Sequence, residues 1–276
     1  MVPGKHRVYF WVAPILAVSW LSIALLNFLA LPSGAFEAIW LGYSLGSLFG
    51  HVALAAGWAV FGPGTVLWRV PLSIVWVLLI GVAVVIEIVT QSAPPEIAIT
   101  FTGCFLGIWL ALQLPLWGIK LGFRAHLRYA DDPRRAEPSQ WQFGTRELLI
   151  VTTMVAVAFG IGRIVVGDLL SDTAFVTAGL PVLLFLALTS IAFSLLIMVA
   201  ALLERGAIVG VLVTVGLIVL GTIIELPLLQ QVTGNSGRPN TYDLLSVNGF
   251  GSGLVLLVAT IVRQSGYVLA RDRLAS

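Results

Sequence analysis

Two glutamates, Glu87 and Glu225, and one histidine, His51, stand inside long runs of apolar residues. A carboxylate in such a setting costs on the order of a few kcal/mol, so it is paired, close to an interface, or functional. Read as chemistry, Glu87 and Glu225 would form a proton or cation site between helices, with His51 as a relay. Read as structure, both carboxylates sit near span ends, where they reach headgroups or pair with Arg163, the basic residue most out of place. His51 then bonds a neighbouring helix. Beyond these residues the inventory is thin. A lone intramembrane histidine cannot supply both axial ligands of a b-type haem. There is no His-Glu-x-x-His, phosphate-binding loop, dinucleotide fingerprint or cysteine cluster. Ser252 does not complete Gly-x-Ser-x-Gly, because Phe250 holds the first glycine position. No catalytic constellation, cofactor or metal is therefore expected, and the single cysteine, Cys104, reads as a packing residue.

The elements that carry these residues follow from composition. Of 276 residues, 59% are hydrophobic and 10% charged, and mean hydropathy is +1.02. Soluble domains carry about a quarter charged residues. Apolar runs recur at about 9–31, 36–61, 70–90, 97–119, 147–167, 178–203, 207–231 and 244–264. Each is long enough to cross a hydrocarbon core of about 30 Å as a helix. Continuous runs such as Val82–Ile86 lack the alternation of a barrel strand. The expected fold is an all-α bundle of about eight transmembrane helices. The first run is too long for a signal-peptide core and ends at Leu31-Pro32, so it reads as a retained helix.

Charge placement orients the bundle. With the N-terminus in the cytoplasm, thirteen of the fifteen Lys and Arg fall inside; Arg238 lies outside and Arg163 near the outer end of a span. That asymmetry predicts both termini inside and an even number of spans. Net charge is only +2, which implies no nucleic-acid partner. Trp11, Trp68, Trp117 and Trp141 fall at the inner interface and Trp40 at the outer one, whereas Trp20, Trp76 and Trp109 lie deeper.

Residues 120–146 form the one sizeable hydrophilic stretch and divide the chain into a first half, 1–119, and a second, 147–276. Ser139 and Gln142 fit a capping box. With Trp141 and Phe143 they suggest a short interfacial helix whose basic neighbours would hold anionic lipid. The halves share features: Ile86-Glu87-Ile88 resembles Ile224-Glu225-Leu226, and Gly103 and Gly107 resemble Gly249 and Gly253. The two matches have different offsets, which a longer outer loop in the second half absorbs. Four spans per half would make parallel repeats about an axis normal to the membrane.

Gly42, Gly46 and Gly50 recur every fourth residue and line one helix face, where backbones can approach closely within the chain or between protomers. Pro115 and Pro227 fall within spans and would kink them.

The segment Gln142-Phe143-Gly144-Thr145-Arg146-Glu147-Leu148-Leu149-Ile150-Val151-Thr152-Thr153 resembles one that recurs before a transmembrane helix in uncharacterised multi-pass membrane proteins of planctomycete type. The resemblance covers a dozen residues. It implies a bacterial cytoplasmic membrane and brings no activity, ligand or site residue with it. From the residues themselves, a small-molecule, lipid or ion transporter leads. An accessory or structural subunit of a membrane complex, or a homo-oligomer, comes next, and a membrane-embedded lipid-modifying enzyme third.

Overall fold

The computed structural model describes residues 16–21, 35–62, 65–90, 95–122, 125–129, 180–202, 207–233 and 241–271. After a short helical segment at 16–21, the described chain forms α1 (Ala35–Phe61), α2 (Val66–Thr90), α3 (Pro95–Gly122), β1 (Ala125–Tyr129), α4 (Leu180–Leu202), α5 (Ala207–Thr233), α6 (Thr241–Gln264) and β2 (Tyr267–Arg271). Five of these helices are long and apolar enough to cross a membrane: α1, α2, α3, α5 and α6. Large apolar side chains face outward in helical stripes. Examples are Leu72, Val75, Leu79 and Val82 on α2, and Ile208, Leu212, Val215, Val219 and Ile223 on α5. Outward apolar stripes on fully hydrogen-bonded helices are what a hydrocarbon solvent demands.

The helices group as two mutually packed triads, α1–α2–α3 and α4–α5–α6. The most extensive contact of all joins them, between α1 and α6. Glycines explain how close it is. A Cβ at Gly46 would run into the Val247 carbonyl oxygen and come within 3.0 Å of the Gly251 nitrogen. A Cβ at Gly50 would lie 3.0 Å from the Gly251 carbonyl oxygen, and one at Gly251 would lie 2.7 Å from that of Gly46. The contacts climb both helices in the same direction, so α1 and α6 are parallel. Backbones this near gain dispersion and Cα–H···O contacts that no larger residue permits. Gly42 lies on α1, but its surroundings fall outside the described residues.

Helix ends are finished by cations. Lys120 Nζ donates to the Val60 carbonyl (3.0 Å), and Arg69 Nη1 donates to those of Val60 (3.1 Å) and Gly62. These are the orphan carbonyls at the C-terminus of α1, where the helix dipole also favours positive charge. At the end of α4 the same task falls to Arg263, whose Nη1 donates to the Ala201 carbonyl (3.2 Å). Lys120 also sits over the Trp117 ring, 4.6 Å from its centroid.

Two features depart from the expected pattern. The hydrophilic linker does not begin at residue 120: α3 continues to Gly122, since the Lys120 stem extends along the bundle to its partner on α1. The fold also contains a strand pair rather than helices alone. β1 and β2 pair antiparallel, with Ala125 opposite Arg271, Leu127 opposite Leu269 and Tyr129 opposite Tyr267. Each strand starts just after a helix ends. At Gly266 the backbone takes φ 90°, a left-handed turn that glycine adopts without strain, and its N–H bonds the Arg263 carbonyl (2.8 Å). The ribbon gives both chain segments backbone partners as they leave the bundle.

Candidate functional site

Glu225 stands about two-thirds of the way along α5 and is completely buried, at 0% exposure. Its Oε2 accepts a 2.7 Å hydrogen bond from Asn248 Nδ2 on α6, itself 5% exposed. Its Oε1 is buried and has no hydrogen-bond partner among the described residues. Two residues before Pro227, the carboxyl also adjoins a weakened stretch of helix: proline lacks the N–H that would bond the Ile223 carbonyl.

Beside this pair Gly221, one turn back along α5, makes room for an aromatic ring. Any Cβ there would collide with the Phe193 ring of α4 and lie 3.5 Å from Asn248 Nδ2. Phe193, Gly221, Asn248 and Glu225 thus bring all three helices of the second triad to one point. Thr214 and Thr222 turn inward on α5 but spend their hydroxyls locally, donating to the carbonyls of Gly210 (2.7 Å) and Ile218 (2.8 Å).

His51 occupies a different place. It is fully buried on α1, with Nδ1 2.7 Å from the Ser47 carbonyl oxygen and Nε2 3.3 Å from that of Leu16 in the 16–21 segment. Both oxygens accept, so a neutral ring satisfies one of them and a doubly protonated ring both. The ring stacks on Trp76 of α2, with centroids 6.0 Å apart. The indole N–H groups of Trp76 and Trp109 are buried and have no acceptor among the described residues.

The residues singled out from the sequence therefore separate. Among the described residues the partner of Glu225 is Asn248, which the sequence reading did not single out. A clue was present, since Asn248 is the one asparagine inside the last apolar run. His51 lies in the first triad and Glu225 in the second, each with its own partners. The Glu87 side chain and Arg163 fall outside the described residues. Cys104 is half-buried on α3. No group of three His, Cys, Asp or Glu positioned to hold a metal occurs among the described residues.

Chemically, the Glu225–Asn248 pair holds a carboxyl by one oxygen and leaves the other available. That arrangement suits reversible capture of a small cationic species or of a hydrogen-bond donor. Comparison with protein-family models, curated proteins and solved structures finds no match to this chain.

Proposed function

We propose that this chain is a bacterial cytoplasmic-membrane transporter of a small solute or ion, with Glu225 and Asn248 at its working site. The observation that carries this reading is the Glu225 carboxyl, fully buried among apolar helices and, among the described residues, bonded through one oxygen only. A purely structural acid at this depth would be expected to have both oxygens bonded, because an unmet polar group costs about 1–3 kcal/mol or more.

The reading includes eight spans with both termini in the cytoplasm, arranged as two related halves. The strand pair supports it. α3 and α6 both end at the ribbon, while α4, α5 and α6 follow one another through short connections. For α6 to finish on the same side as α3, an odd number of crossings must separate Tyr129 from Leu180. One further span, at about 147–167, meets that requirement. Duplication is supported by paired details at a common spacing of about 140 residues. Lys120 caps α1 as Arg263 caps α4, each from the last helix of its triad onto the first. The ribbon centres on Leu127 opposite Leu269, so exchanging the strands reproduces the same ladder, as a two-fold axis requires. Two such halves joined by one glycine-lined seam are able to rock against each other, the usual basis of alternating access. The basic linker would hold anionic lipid on the cytoplasmic side.

Reconstitution tests the reading. Proteoliposomes carrying a trapped pH-sensitive dye are challenged in turn with organic acids, amino acids, amines and alkali cations. A solute-dependent signal in the wild type, reduced at least tenfold in Glu225→Gln, is the expected result. Fluxes equal to those of protein-free vesicles across the whole panel would overturn it.

A further inference from the structure

We propose that Glu225 is a reversible proton-binding site, so that the species it captures and releases is H⁺ rather than a metal cation. The proposal deepens the transport reading and rests on it for its biological meaning, though not for its test. It starts from the coordination available. A metal ion stripped of water needs several oxygen ligands; even the least demanding hard cations take about six. Among the described residues around Glu225 there is one carboxyl oxygen without a hydrogen bond, and the neighbouring amide presents its nitrogen, which is a donor. The adjacent side chain on α4 is a phenyl ring. Even counting the Ile223 carbonyl that Pro227 leaves without its helical N–H, two oxygens among an amide N–H, a ring edge and aliphatic groups are a poor cage for a metal. One oxygen is sufficient for a proton, which needs only one covalent partner.

The local hydrogen bonding suits both states. With the proton off, Asn248 donates to the carboxylate, and the charge is held by that one bond. With the proton on Oε1, the new O–H is a donor in search of a carbonyl. The helix offers one: the Gly221 carbonyl stands one turn back, and α5 already uses this back-bonding pattern at Thr214 and Thr222. The bookkeeping is a single proton added to or removed from one oxygen, with water as the source and sink.

No described group competes. The elements packed against α5 are α4 and α6. Helix α4 carries no titratable residue. Helix α6 carries Arg263, engaged at the far end with Ala201, and Tyr242 and Asp243, whose side chains fall outside the described residues. On α5 itself Glu225 is the sole titratable side chain. His51 serves the other triad and contacts Ser47, Leu16 and Trp76.

Infrared difference spectroscopy of the full chain in lipid nanodiscs tests this directly, because a protonated carboxyl has its own C=O stretch, separate from carboxylate and amide bands. The expected result is an acid band that disappears reversibly as pH rises, is absent in Glu225→Gln and moves in frequency in Glu225→Asp. Glutamine is isosteric and supplies an N–H where the acid supplies O–H, so that variant is expected to fold; the aspartate variant provides the assignment if it does not. An acid band at this residue that persists at every pH, or no such band at any, overturns the proposal. Either failure leaves transport of another species open. A titrating band in a protein that moves no solute would sink the transport reading and leave the proton site standing.

Discussion

Replacing Gly46 by alanine adds a net one carbon and two hydrogens, yet it is expected to be among the costliest single changes in the bundle. The added Cβ meets the Val247 carbonyl oxygen head-on and crowds the Gly251 nitrogen at 3.0 Å. Both are backbone atoms, so no rotamer change relieves the clash. A carbon beside a carbonyl oxygen needs about 3.3 Å, which forces α1 and α6 apart by roughly 1 Å at this level. A gap of that size forfeits a quarter to a half of the dispersion energy across the seam. Overpacking of this kind costs about 3 kcal/mol. Alanine returns up to about 1 kcal/mol through its better helix propensity. The net loss is about 2 kcal/mol, roughly a thirtyfold change in the folded-to-unfolded ratio.

The assay is reversible unfolding in mixed micelles followed by circular dichroism, and it has an internal control. Gly107, on α3, has nothing within 4 Å of an added Cβ. Gly107→Ala is therefore expected to be neutral or stabilising by up to about 1 kcal/mol. Gly57 is intermediate: its Cβ would meet the sulfur of Met198 at 2.7 Å, and a methionine side chain can move aside. The order of stability should be Gly107→Ala, then Gly57→Ala, then Gly46→Ala. Equal stability of the Gly46 and Gly107 variants would refute the claim that the two triads are held by direct backbone contact.

Three further outcomes follow from the same geometry. Asn248→Leu removes the one described donor to Glu225 and should cost about 3 kcal/mol, while Glu225→Leu in the same chain should recover much of it; a double-mutant cycle with no coupling would deny the pairing. Arg263→Met should lose about 1 kcal/mol through the lost cap on Ala201, and Lys120→Met less, because Arg69 still donates to Val60; the double variant should lose the sum, and strong non-additivity in thermal unfolding would count against independent caps. In a Cys104→Ala background, cysteines at His126 and Ala270 should form a disulfide in mild oxidant, since opposed residues of an antiparallel pair are about 5 Å apart at Cα; equal crosslinking of cysteines at His126 and Val268 would reject the register.

The helices were legible because a bilayer leaves so little freedom. Apolar runs expected at 36–61, 207–231 and 244–264 correspond to helices at 35–61, 207–233 and 241–264. Such a run in lipid has no alternative to the helix that satisfies its backbone. What could not be read locally depends on partners far apart in sequence. The ribbon joins a segment from the middle of the described chain to one at its end, and nothing in Ala125–Tyr129 or Tyr267–Arg271 alone identifies the other. Lys120 and Arg263 were read only as charges that set topology; that they reach back onto the ends of other helices needs the packing to be known.

Glu225 shows the same division more sharply. Its type and setting flagged it from the sequence, but the two plain readings, headgroups or arginine, both assumed that a buried acid must find a full positive charge. The bundle uses a neutral amide instead. That partner differs from an arginine in its consequence: a guanidinium holds a carboxylate charged by matching both its oxygens at once, whereas the Asn248 bond occupies one oxygen, and among the described residues the other has no partner. The second oxygen, two residues before a proline that loosens the helix, is then a place where a proton could come and go without disturbing the bond that holds the side chain. An asparagine where an arginine might have been expected is thus the residue that turns a buried acid from a structural pair into an exchangeable site.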